Sequence, residues 1–227
     1  MNWLVSFFGS SIGKKLVMSL TGLFLISFLV IHLIGNFLLL KDDGGMAFNQ
    51  YAKFMTTNPV IKFTSYGLYF SILLHAVVGM MLAWYNRKAK GTKYAVANHN
   101  KTSWASKNMG LLGSVVFAFI LIHMGDFWLK MKLDQLPYVT YDVAEGPIKD
   151  LYFRVAEAFK EPLLMAAYVV GVVMLGFHLW HGFQSAFQSL GLNHKKYTPF
   201  IKAVGKVFSI LITFGFATIP LYHFFIK

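Results

Sequence analysis

Five apolar runs, each long enough to cross a lipid bilayer, constrain what this 227-residue chain can fold into. A helix needs about 20 mostly apolar residues to cross a hydrocarbon core about 30 Å thick. The runs cover about residues 16–40, 63–85, 109–128, 163–187 and 200–225. The sequence therefore predicts an all-α integral membrane bundle of five transmembrane helices, which forms a single domain over residues 1–227.

The composition suits a chain that is solvated by membrane lipid. Apolar residues make up 56% of it and charged residues 13%, against about a quarter charged in an ordinary soluble domain. Because there is no cysteine, this chain cannot form disulfides, thiolate metal sites or cysteine-ligated iron–sulfur clusters. No small-x-small cleavage pattern follows the first apolar run, so we expect that run to be a span rather than a cleaved signal.

Charge asymmetry predicts how the bundle is oriented. Twelve of the 21 Lys and Arg residues fall on one side, and no Asp or Glu accompanies them. They are Lys14, Lys15, Arg87, Lys88, Lys90, Lys93, Lys101, Lys107, Lys195, Lys196, Lys202 and Lys206. By the positive-inside rule, the N-terminus lies in the cytoplasm and the C-terminus outside. Topology then explains the net charge of +12, and nucleic acid is not an expected partner.

Three segments outside the spans are predicted to lie at the membrane surface. Residues 1–10 are short, aromatic and amphipathic, and residues 46–58 form a mixed connection before the second span. In the long connection before the fourth span, residues 151–159 carry apolar side chains at helical spacing, which predicts a short surface helix.

Four of the five runs carry a histidine deep within the hydrocarbon, namely His32, His75, His123 and His178. A titratable ring at that depth is costly, so it is a functional candidate by default. At about 1.5 Å of rise per residue from the cytoplasmic side, His32 and His123 fall roughly 20 to 25 Å deep. His75 and His178 fall roughly 15 Å deep. The spacing predicts an outer pair from the first and third spans and an inner pair from the second and fourth.

Imidazoles paired at matched depth on different helices are what two iron porphyrins with bis-histidine ligation require. Spacing alone leaves two other interpretations open: a histidine-lined ion or proton path, and side chains that only pack between helices. His181 lies three residues after His178 and shares its helix face. It is a competing ligand or a hydrogen-bond partner for a propionate or a quinone, and we place His178 ahead of it.

The other three histidines are not expected to belong to this constellation. His99 and His194 fall in basic loops and are predicted to be solvated. His223 is near the outer end of the fifth span and is predicted to lie at the interface.

The histidines and three sequence motifs give the chain a likeness to a known family. The motifs are Phe177-His178-x-x-His181-Gly182-x-x-Ser185, Ser10-Ser-Ile-Gly-Lys-Lys-x-x-Met-Ser-Leu-Thr-Gly22 and Phe48-Asn-x-Tyr-x-x-Phe54-Met-x-x-Asn58-Pro59. Over essentially its whole length, the chain resembles the cytochrome b membrane-anchor subunit of succinate dehydrogenase and fumarate reductase. The likeness is to the single-subunit, five-helix, dihaem type.

This resemblance implies two haem b groups, one held by His32 with His123 and the other by His75 with His178. It also implies flavoprotein and iron–sulfur partner subunits on the cytoplasmic face, with the dicarboxylate site on a partner. The chain would transfer electrons to or from a membrane quinone, with menaquinone favoured, in the lipid of a bacterial cytoplasmic membrane. The physiological direction and a dimer of complexes stay open.

Charged residues near the spans add candidates for the same site. Arg87 and Lys88, at the inner end of the second span, are candidate partners for haem propionates, with interfacial anchoring as the alternative. Asp126 is the only acid within a span and lies about one turn past His123. It is a candidate for quinone or proton chemistry, and its alternative is a carboxylate paired with Lys130 at i+4.

The region before the second span departs from the family's pattern. Family members often place a carboxylate near the start of the second helix for quinone chemistry. This chain has Asn49, Gln50 and Asn58 there, with Asp42 and Asp43 upstream. The sequence therefore does not predict where the quinone pocket lies.

Overall fold

The computed structural model describes residues 2–89, 103–142 and 146–227. The chain is mostly helical (83%), and the described part contains five helices long and apolar enough to cross a membrane. They are Ser11–Leu40, Pro59–Lys88, Met109–Lys132, Pro162–Ser189 and Thr198–Phe225. Each contains the predicted apolar run and extends past it at one or both ends, because the helices continue into polar flanking residues.

Ten α-helices are found in the described residues. They are α1 Trp3–Gly9, α2 Ser11–Asn36, α3 Met46–Thr57, α4 Pro59–Ala89, α5 Trp104–Lys107, α6 Met109–His123, α7 Lys130–Lys132, α8 Leu151–Lys160, α9 Pro162–Ser189 and α10 Thr198–Phe225. A 3₁₀ segment, Phe37–Leu40, continues α2, and a π-helical segment, Met124–Leu129, joins α6 to α7. The prediction of five long apolar helices is confirmed, and the short helix predicted over residues 151–159 is α8.

Two short strands are a small departure from the predicted all-α fold. Strand β1 (Tyr138–Val139) pairs antiparallel with strand β2 (Ile148–Lys149) in the connection before α8. The predicted connection at residues 46–58 is likewise more regular than expected, since most of it forms α3. Both segments pack at the same end of the bundle.

Local chemistry explains where several helices begin. The Ser10 hydroxyl accepts a hydrogen bond from the Gly13 backbone N–H at 3.0 Å, which caps the first turn of α2. Asp150 caps α8 in the same way, accepting from Phe153 N–H at 2.9 Å. Helices α9 and α10 carry Pro162 and Pro199 in their first turn, where the missing N–H leaves no intrahelical bond unmade.

Contacts at both ends show that α2 and α6 run antiparallel to α4. At one end, the Lys14 ammonium near the start of α2 lies 4.8 Å from the ring centre of Tyr85 near the end of α4. At the other end, Trp128 Nε1 after α6 donates to the hydroxyl of Tyr69 in the first half of α4 at 2.8 Å. We call the end at which α2 and α10 begin the basic end, and the end at which α4 and α9 begin the acid-bearing end.

A buried asparagine ties the short elements of the acid-bearing end together. Asn49 of α3 is 1% exposed. Its amide nitrogen donates to the Tyr141 hydroxyl at 2.9 Å and to Asp150 at 2.8 Å, and its oxygen accepts from Tyr152 N–H at 2.9 Å. Helices α3 and α8 are therefore fixed to each other across this end.

Large apolar side chains cover the outside of the long helices. Phe63, Leu163 and Phe214 are examples of rings and branched chains that lie exposed on α4, α9 and α10. A soluble bundle buries most such residues, and an apolar surface of this extent marks contact with lipid or another protein. The surface suits a protein that passes through a membrane several times.

Candidate functional site

Four histidines of the long apolar helices come together as two pairs, each formed by two different helices. His32 of α2 and His123 at the end of α6 have ring centres 5.7 Å apart. His75 of α4 and His178 of α9 have ring centres 6.2 Å apart. We call them the 32/123 pair and the 75/178 pair. These are the pairs that matching depth predicts, and their role as ligands stays a prediction.

A threonine on α2 sets the orientation of His75. The Thr21 hydroxyl donates to the Val17 carbonyl at 2.7 Å, and its oxygen lies 3.0 Å from Nδ1 of His75. Because the hydroxyl proton is already used, this oxygen accepts the Nδ1 proton of the imidazole. The lone pair of the ring then resides on Nε2, which is the state that a metal-ligating histidine needs.

Two glycines lie against the rings of the 75/178 pair. A Cβ on Gly22 of α2 would come within 3.3 Å of Cε1 of His75. A Cβ on Gly113 of α6 would come within 3.6 Å of Cε1 of His178. Helices α2 and α6 therefore present bare backbone next to the two imidazoles of this pair.

Aromatic rings enclose the 32/123 pair. Phe28 stacks on His32 with ring centres 5.1 Å apart, and Phe127 lies 5.5 Å from His123. The Tyr168 hydroxyl lies 3.5 Å from Nδ1 of His123. These rings form an apolar enclosure for any group that the two imidazoles hold.

The partner of Nδ1 differs between the two pairs. At His32, the amide nitrogen of Asn36 faces Nδ1 at 3.3 Å while donating to the His32 carbonyl at 2.7 Å. His32 thus lacks the accepting oxygen that Thr21 gives His75. Nδ1 of His178 is buried with no hydrogen-bond partner among the described residues.

The geometry of both pairs fits ligation of one metal ion by two imidazoles. Imidazole nitrogen binds a transition metal at about 2.0 to 2.1 Å, so two rings on opposite sides of one ion have centres on the order of 6 Å apart. The observed separations are 5.7 and 6.2 Å. In the described residues no hydrogen bond reaches Nε2 of any of the four rings. The donor set and the glycines fit a haem with two axial histidines.

The remaining histidines lie outside both pairs. His181 is half-buried on α9, and its Nδ1 has no hydrogen-bond partner among the described residues. His194 is exposed, as predicted, and its Nδ1 accepts from the Lys196 backbone at 3.2 Å. His99 falls outside the described residues.

His223 corrects one expectation. It is 0% exposed rather than interfacial. Its ring packs against Tyr152 and Phe159 of α8, with ring centres 5.7 and 6.3 Å away. The position of α8 over the end of α10 depends on tertiary packing, which hydropathy does not reveal.

Asp126 is held by two cations rather than free. Lys130 pairs with it at 2.8 Å, which is the i+4 partner that the sequence offers. Arg154 of α8 pairs with the same oxygen. Sequence spacing does not predict this contact, because 28 residues separate the two side chains. The side chains of Asp126 and Arg154 are 13% and 17% exposed. Such an arrangement suits a structural ion pair, while the quinone role of Asp126 stays a prediction.

The cations at the end of α4 lie in the open. Arg87 and Lys88 are both exposed, and the Lys88 ammonium lies 5.4 Å from the ring centre of Trp84. No hydrogen bond or ion pair of either residue occurs within the described part of the chain. These surroundings favour anchoring at the interface over contact with a propionate.

The fold and the site define a class: a helical protein with five potential membrane spans and two imidazole pairs between them. No family model, no curated protein and no solved structure matches the chain.

Proposed function

We propose that the chain is the dihaem cytochrome b membrane-anchor subunit of a succinate:quinone oxidoreductase. The observation that carries the proposal is the presence of two imidazole pairs. The two ring centres lie 5.7 Å apart in the 32/123 pair and 6.2 Å apart in the 75/178 pair. When bound, haem b supplies reversible one-electron oxidation and reduction at its iron. The sequence resemblance adds the identity of the complex, which the histidine geometry by itself leaves open.

In this proposal the chain binds, orients and shields the two groups. His32 with His123, and His75 with His178, are the axial ligands. Thr21 fixes the tautomer of His75 by accepting its Nδ1 proton. Phe28, Phe127 and Tyr168 keep water from the 32/123 pair, and the surrounding dielectric is one of the properties that tune a haem potential.

The partners follow from the same proposal. The flavoprotein and iron–sulfur subunits dock at the basic end, which faces the cytoplasm of a bacterium. Cations without acids at this end attract a partner of complementary charge, although positive-inside topology also accounts for them. The dicarboxylate site belongs to the flavoprotein partner, and a quinone, favoured to be menaquinone, is the membrane substrate.

The proposed quinone site includes a carboxylate close to the 32/123 pair. Asp126 lies three residues past His123 and is the proposed acid for proton exchange with quinone. Lys130 and Arg154 both bind Oδ1 of its carboxylate. Oδ2, which is buried without a hydrogen-bond partner among the described residues, is therefore the oxygen that would carry the proton. Asn49 is fully engaged in hydrogen bonds to α8 and its flanking loop, which leaves it no free group for this role.

A redox-difference spectrum with a pyridine haemochrome assay tests the proposal. The purified protein is expected to contain two haem b groups per chain and to show sharp α-bands when reduced. His32→Ala and His75→Ala are each expected to remove one haem, while His194→Ala, on an exposed loop, retains both. A colourless protein would contradict the proposal and favour a histidine-lined proton path, which needs no chromophore.

A further inference from the structure

We propose that Arg154 of α8 is a positioning residue for His123. Through its ion pair with Asp126, it holds the π-helical segment Met124–Leu129 that follows His123 directly. The consequence at the metal rests on the proposed function, whereas the mechanical link itself does not.

The π-helical segment decides how the end of α6 faces its neighbours. A π turn holds more residues than an α turn, so it changes the rotation of everything beyond it relative to His123. Phe127 is thereby buried with its ring centre 5.5 Å from that of His123. Trp128 reaches the Tyr69 hydroxyl of α4 at 2.8 Å. Segments of this kind are rare and occur frequently at functional sites.

Asp126 is the polar anchor of this segment. Its side chain is 13% exposed and its Oδ2 is buried without a hydrogen-bond partner among the described residues. A carboxylate in such surroundings is costly unless it is paired. A return of the segment to regular α-helix would rotate Asp126 away from Arg154, so this ion pair opposes the change.

Arg154 acts from a firmly packed element. Helix α8 buries Val155, Ala158 and Phe159. The Phe159 ring lies 6.1 Å from that of Phe127 and 5.0 Å from that of Tyr168. Since Phe127 and Tyr168 both contact the His123 ring, the apolar and the charged contacts of α8 converge on the same imidazole.

Lys130 provides a matched control for Arg154. Both cations pair with the same oxygen of Asp126. Lys130 lies one turn further along the same helix, so its pair links no second element. Arg154 reaches across from α8. Removal of either cation leaves one in place, and only the loss of Arg154 removes the ionic link between α8 and the π-helical segment.

The experiment compares Arg154→Met with Lys130→Met in the full-length protein in detergent. Amide hydrogen exchange over residues 123–130 is the first readout, and it requires no haem. Haem retention is the second, measured in a His75→Ala background, which keeps only the 32/123 haem. Arg154→Met is expected to speed exchange of these amides and to weaken haem retention about 10-fold. Lys130→Met is expected to leave both near the parent values.

Each outcome decides the proposal. Equal effects of the two substitutions, or no effect of Arg154→Met on exchange, would overturn it. If Arg154→Met does not fold, Arg154→Lys takes its place. Its amide exchange is expected to be faster, and its haem retention weaker, than in the parent and in Lys130→Met, but without complete loss of the haem. A parent protein without haem would contradict the proposed function, while amide exchange would still decide the role of Arg154.

Discussion

The Thr21 hydroxyl oxygen lies 3.0 Å from Nδ1 of His75 and accepts the proton of that nitrogen. The contact joins α2 to α4 and leaves Nε2 of the imidazole free to bind a metal. Among the four paired histidines, His75 is the one whose Nδ1 meets an oxygen that is already donating its own proton along its helix. This contact orients one imidazole of the 75/178 pair, whereas Nδ1 of His178 has no hydrogen-bond partner among the described residues.

Thr21→Val is expected to weaken haem binding at the 75/178 pair about 10-fold, because a lost outer hydrogen bond frees the ring and lowers its basicity. Valine keeps the shape of threonine, so packing is preserved. The measurement is haem retention on dilution in a His32→Ala background, which holds only this haem. Thr218→Val is the control, since its exposed hydroxyl bonds only to the Phe214 carbonyl of its own helix at 2.8 Å. Equal retention in both variants would contradict the role of Thr21.

Gly22→Leu is expected to abolish the haem at the 75/178 pair and to spare the one at the 32/123 pair. Even a Cβ at this position would approach Cε1 of His75 to 3.3 Å, so the longer side chain enters the space beside the imidazole. Gly67→Leu on α4 is the matched control, because nothing lies within 4 Å of a Cβ there. Both substitutions improve helix propensity. Haem stoichiometry in the two purified variants decides the matter, and two haems in Gly22→Leu would exclude a glycine cradle.

The sequence predicts the five long helices and which histidines lie at the same level along the bundle, for a physical reason. Lipid requires long apolar helices, and a constant rise per residue turns residue number into depth. His32 therefore meets His123, and His75 meets His178. The same regularity predicts α8, whose Val155 and Phe159 both lie buried.

What the sequence does not reveal depends on contacts between distant segments. The Arg154–Asp126 ion pair spans 28 residues, and the π-helical segment that carries Asp126 has no marker in its composition. The burial of His223 likewise depends on where α8 packs. Hydropathy locates helices, but side-chain orientation between them is set by packing that it does not encode.

Asp126→Asn tests whether this carboxylate is structural. The substitution leaves the guanidinium of Arg154 with Glu157 as its remaining partner, at 2.9 Å. Losing one member of a largely buried ion pair is expected to destabilise the protein by about 3 kcal/mol. Lys130→Ala is expected to cost less than about 1 kcal/mol, because that side chain is 34% exposed and water screens its pair.

Thermal unfolding in detergent compares the stability of these two variants. Quinone reduction by the assembled complex separates a structural role from a chemical one. Turnover near the parent value in Asp126→Asn, at a temperature where it is folded, would remove Asp126 from the proton chemistry. A loss of turnover with both haems retained would support its proposed part in proton exchange with quinone.

His223→Phe is expected to leave both haems in place and to raise the unfolding temperature. The histidine is fully buried, and neither ring nitrogen makes a hydrogen bond among the described residues. The Leu39 carbonyl lies near the ring but outside hydrogen-bond geometry. Replacing a buried polar group that lacks a partner by an apolar one is neutral or stabilising, and phenylalanine adds contact with Tyr152 and Phe159. Haem content and thermal unfolding check this prediction; a lost haem would make His223 a participant in the site, and a lower unfolding temperature would show that its nitrogens have partners after all.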